Sequence, residues 1–150
     1  MKKIDDYDFG FLEDRFYDDY PQFAGRFDEA VTELKKFLSL PLQCDGPLAA
    51  MSHCVDALWH TFIQHTPQYT AFSREMYGRD YLHHQPRSQS FLVPVSAISN
   101  FYTAYPKHFG PVPNIWFEDI PPAHVIAVSQ GQVPLDVQNL KWSGWPGWTV

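Results

Sequence analysis

The chain reads as a mostly α-helical single domain of about five helices, with an irregular C-terminal segment rich in proline and tryptophan. Three observations predict this. Apolar residues recur at three- and four-residue spacing through the first 110 positions. Beyond Gly110 that spacing fades, and four of the five tryptophans crowd into the remainder. A chain of 150 residues that is 45% hydrophobic and 17% aromatic can bury a real core without disulfides or a structural metal. The reading is therefore one domain, with residues 1–110 as helical core and 111–150 as an extension packing on it.

Residues 5–20, DDYDFGFLEDRFYDDY, carry Phe9, Leu12 and Phe16 at helical spacing, with Asp5 or Asp6 as cap and Pro21 as stop. Seven of the seventeen acidic residues fall within the first nineteen positions, giving this helix a solvated acidic face. In GRFDEAVTELKKFLSL, the residues Phe27, Ala30, Val31, Leu34, Phe37 and Leu38 make one apolar stripe, ended by Pro41. A third helix is expected from about Pro47 to His65, capped by Asp45 and with Pro47 in its first turn. Its apolar face is Leu48, Met51, Val55, Leu58 and Phe62; His53, Asp56 and His60 fall at the core boundary, and Cys54 on the opposite flank. The fourth helix has Thr66 as N-cap, Pro67 at the first helical position and Gly78 as left-handed stop. The fifth begins near Pro94 or Ser96, carries Ile98, Phe101, Tyr102 and Tyr105, and is ended or kinked by Pro106 before Gly110-Pro111. In the extension, HVIAV (124–128) suggests a short strand, and the rings of KWSGWPGWTV are expected to pack.

A formal charge of −6 argues against general nucleic-acid binding, which needs a basic surface to replace counterions. No apolar run approaches the roughly 20 residues that span a bilayer, and MKKIDDYDFG lacks the apolar part of a signal peptide, so a cytoplasmic protein is expected. Cys44 and Cys54 are too few for a disulfide framework and are read as reduced thiols.

Chemistry concentrates between Val55 and Pro86. Asp56 and His60 are four residues apart, one turn of helix on a common face, and the pair His83-His84 follows on the return of the chain. The pattern Val55-Asp56, Trp59-His60, Phe62-Ile63, Thr66, Tyr69, Phe72, Gly78, His83-His84 and Pro86 resembles the glycine-rich-domain-containing-protein-like family. The resemblance extends weakly through Tyr105, Phe109-Gly110 and Trp116, and implies the motif without implying an activity. The chain has no glycine-rich segment, and at Ser73, where that family often carries cysteine, any thiol role is absent.

Two imidazoles and a carboxylate suit zinc or ferrous iron, so Asp56, His60, His83 and His84 are the candidate metal ligands, with Trp59, Thr66 and Tyr69 supporting them. Zinc is favoured because it needs no redox support. Asp56 orienting His60 as a general base is a weaker alternative, since the G-x-S-x-G nucleophile elbow is missing. Phosphate-loop and dinucleotide fingerprints are also missing, so no nucleotide cofactor is expected. The rival from another class is a protein-interaction module. There Asp56, Trp59, His60 and the histidine pair form a structural hydrogen-bond network, and the acidic N-terminus or the Trp-rich C-terminus meets a partner protein.

Overall fold

The computed structural model describes residues 2–80, 82, 84, 94–140 and 142–147. It is mostly α, with one two-stranded sheet among the described residues. The chain forms two compact units, 1–42 with 54–82 and 43–53 with 83–150, so the backbone passes from one to the other three times.

In the first unit the acidic segment is not one helix. It divides into α1 (Lys2–Asp5), a 3₁₀ turn (Gly10–Leu12) and α2 (Glu13–Asp19). The cause is local: Asp8 Oδ1 accepts the Gly10 N–H at 2.8 Å, an Asx turn that takes the backbone out of the helical ladder. Phe9, Leu12 and Phe16 are still buried, while the acidic residues of α2 stay exposed. Helix α3 (Phe27–Ser39) carries the predicted stripe, and Pro41 lies in the 3₁₀ turn that follows.

Helix α4 (His53–Gln64) starts six residues later than its sequence suggests. Residues Leu48–Ala50 form strand β1 instead, because they find a partner that local pattern does not reveal. Helix α5 (Thr66–Tyr77) follows after a single residue, His65, which takes the N-cap position in place of Thr66. His65 is held there by a bond from its Nδ1–H to Thr61 O at 2.9 Å. Pro67 falls in the first turn, and Gly78, at φ 69°, closes the helix through its N–H to Arg74 O.

The second unit is built on α6 (Val95–Phe109), which runs through Pro106 for three more residues rather than stopping there. Proline removes one ladder bond, and so near a helix end little is lost. HVIAV is not a strand: His124 ends a 3₁₀ turn and Val125–Ser129 is the short helix α7. A further short helix, α8 (Leu135–Gln138), leads to β2 (Ser143–Trp145), which pairs antiparallel with β1 in the register Leu48↔Trp145, Ala49↔Gly144 and Ala50↔Ser143. Trp116, Trp142 and Trp145 are buried, as packing of the tail requires, and Phe101 meets Trp116 at 4.6 Å between ring centroids.

The strand pairing leaves no room at Gly144, where a Cβ would stand 2.4 Å from Leu48 O. Gly144→Ala is expected to lower stability by about 1–3 kcal/mol, read as a shift of the urea-unfolding midpoint. An unmoved midpoint would show that the strands do not approach this closely.

Candidate functional site

The motif around Trp59 is first of all a set of buried contacts in the first unit. Trp59 lies on the inner face of α4 and Tyr69 on that of α5, and the single-residue corner at His65 brings the two side chains together. Trp59 Nε1–H donates to Tyr69 Oη at 3.0 Å, and Tyr69 Oη–H donates onward to Leu82 O at 2.6 Å. Trp59, Tyr69 and Leu82 are all buried. The hydroxyl thus accepts once and donates once, and the carbonyl of the returning chain is satisfied where water cannot reach it. Burial pushes the Tyr69 phenol well above its ordinary range, against a smaller opposing effect of the Trp59 hydrogen bond.

Beside this relay, Phe62 is the hub of an aromatic cluster. Its ring centroid lies between 4.9 and 6.1 Å from those of Tyr7, Phe9, Phe11, Tyr69 and Phe72. Phe37 closes on Trp59 at 5.2 Å. The motif's four aromatic positions, Trp59, Phe62, Tyr69 and Phe72, are therefore packing positions. Ser73, next to Phe72 on α5, is fully buried, and its Oγ has no hydrogen-bond partner among the described residues.

The candidate ligands are distributed differently. Asp56 is half-buried on α4 in the first unit, close enough to Tyr20 that its charge, after burial, helps to raise that phenol. His60 is exposed one turn on, with its Nε2 3.4 Å from Gln64 Nε2. His84 is half-buried and belongs to the second unit; His83 lies outside the described residues. Among the described residues, no three His, Cys, Asp or Glu side chains form a group that could hold a metal ion. Cys54 is buried and Cys44 half-buried, and neither is joined in a disulfide among the described residues.

One pairing has no trace in the sequence. His53, the first residue of α4, donates its backbone N–H to Asp119 Oδ2 at 2.8 Å, and its Nδ1 lies 3.4 Å from Asp119 Oδ1. Trp142 stacks at a tilt on the same imidazole, 5.1 Å between centroids. Asp119 thereby caps an orphan amide of the helix start and lies where the macrodipole favours negative charge.

Residues 1–92 match a family model described as UCP032817-like. The chain belongs to the UCP032817-like family. This corrects the resemblance to the glycine-rich-domain-containing-protein-like family, since the match runs through the whole Trp59 motif and beyond it to the N-terminus. The physical reason for the likeness is plain: tryptophan, phenylalanine, tyrosine and glycine at these spacings are what a tight helical corner with an aromatic interior requires. Membership of the UCP032817-like family brings no activity with it. No curated protein and no solved structure matches the chain.

Tyr69→Phe removes the donor to Leu82 O and the acceptor for Trp59, and is expected to cost about 1–3 kcal/mol at neutral pH. Tyr69 and Tyr77 both have phenols raised by burial, so the stability they contribute is whole below about pH 10, the ordinary tyrosine value, and is lost as pH climbs through their folded-state values. Unfolding followed by circular dichroism should turn steeply pH-dependent above that point, less so in Tyr69→Phe. An equal slope in both proteins would remove Tyr69 from the account.

Proposed function

We propose that the protein is a non-enzymatic protein-interaction module in which the Trp59 motif is structural and the acidic face of α2 meets a basic partner. The observation that carries this reading is the Trp59–Tyr69–Leu82 relay, in which two of the motif's side chains hold the corner and the returning chain together. On α2 the outward-facing charge is mostly acidic: Glu13, Asp14 and Asp18 are exposed, with Arg15 and Asp19 paired at 2.7 Å. Exposed charge of one sign steers a partner of the other and makes association sensitive to salt. Trp142 and Trp145 are buried and serve packing, which leaves the N-terminal segment as the surface of choice. No helix among the described residues is long and apolar enough to cross a membrane.

A bound zinc or iron ion is the second reading, favoured by the position of Asp56 and His60 one turn apart on α4, with His60 exposed. Elemental analysis of native protein, beside Asp56→Ala and His60→Ala, decides between them. The interaction module predicts at most about 0.1 equivalent of metal, since a structural site fills stoichiometrically, and a loss of stability in Trp59→Phe. Stoichiometric zinc or iron that disappears in either alanine variant overturns it. Charge reversal of Asp14 and Asp18 to lysine should abolish salt-sensitive binding of the basic partner, measured by sedimentation, and reversal of Asp136 in the second unit should leave it unchanged.

A further inference from the structure

In the second unit, the loop at 43–46 and the last three turns of α6 line a groove of about 250 Å³. Asn100, Thr103 and Lys107 line it from one face of the helix, three and four residues apart. The loop is fixed against that face. Asn100 Nδ2–H donates to Pro47 O at 3.1 Å, and a Cβ at Gly46 would come within 3.0 Å of the same amide nitrogen. The groove is thus a held shape rather than a gap under a loose loop.

Its chemistry is that of an anion receptor. Lys107 has no ion-pair or hydrogen-bond partner among the described residues, which is notable in a chain whose net charge is −6. The Thr103 hydroxyl is exposed and the His108 ring adds a second donor at the rim. Ala104 and the half-buried Cys44 thiol give a small apolar wall. Burial pushes that thiol up, Lys107 draws it back down and Asp45 adds to the rise, so Lys107 and the sulfur lie within each other's field. Lysine at a helix C-terminus also offsets the partial negative charge of the terminal carbonyls. One cation against those carbonyls balances a single negative charge better than a double one, and this selects a carboxylate over a phosphate dianion.

We propose that this groove is a binding site for a small monocarboxylate, its charge on Lys107, its oxygens within reach of Thr103 and His108, and its short apolar part against Ala104 and Cys44. The site is independent of the acidic face of α2.

Cys44 supplies the reporter. Cys54 is buried, so alkylation of the native protein by iodoacetate (a carboxylate) or iodoacetamide (its neutral analogue) reads Cys44, as peptide mapping verifies. The ratio of the iodoacetate to the iodoacetamide rate should fall about fivefold in Lys107→Gln, the worth of one charge a few ångströms away in a watery site. Acetate should slow both reagents when compared with chloride at equal ionic strength. An unchanged ratio in Lys107→Gln, or acetate acting no better than chloride, overturns the proposal. Inorganic phosphate protecting where acetate does not would overturn the choice of a monocarboxylate.

Discussion

A single phenolic hydroxyl carries the central constraint of this structure. Tyr69 Oη lies between an indole donor and a backbone carbonyl, both buried, and a hydroxyl is the group that can accept from one and donate to the other in so small a space. An apolar replacement leaves two orphans, and each buried orphan is expensive. The same device recurs. Tyr77 donates to Leu38 O near the end of α3, and Tyr102 donates to Trp116 O at the close of a 3₁₀ turn. Each acceptor is a carbonyl near the end of a helical turn or, for Leu82, in the returning segment. In a chain with thirteen prolines such ends are many, and tyrosine brings a donor to them on a rigid, largely apolar arm.

The aromatic cluster around Phe62 explains why the N-terminal segment is part of the first unit rather than an appendage. Phe9 lies within the Asx turn of Asp8 and Gly10 and Phe11 just after it, and both rings meet Phe62. Lys35 anchors the preceding residues through Asp5 O at 2.7 Å, with its ammonium 6.0 Å from the Phe9 ring centroid. The family match, which begins at residue 1 and ends at 92, takes in every residue of this cluster.

Local pattern made the long helices legible, because each carries its own stop: Pro41 after α3, Pro67 and Gly78 around α5, Gly110 after α6. It misled where a distant partner decides. Leu48–Ala50 would serve a helix as well as a strand, and only Ser143–Trp145 tips the balance. HVIAV, rich in β-branched residues, has no strand beside it among the described residues and folds into a turn and a short helix. For the site, the sequence shows Trp59 and Tyr69 within one motif, but the acceptor that ends their relay is a backbone atom, which no residue type announces. Asp119 against His53 spans 66 positions and has no sequence signature. The D-x-G at 8–10 was readable as a turn, and its helical spacing of aromatics hid it.

The pairing of β1 with β2 has a consequence for synthesis on the ribosome. All residues of the first unit have been made once Leu82 is added, whereas β1, made early, has no strand partner among the described residues until 143–145 follow. Through that interval the nascent chain carries an apolar, hydrogen-bond-hungry LAA edge, the kind of segment that invites association between neighbouring polysomes. Slow translation late in the message would prolong this exposure, and a chain stalled before Gly144 would retain it permanently.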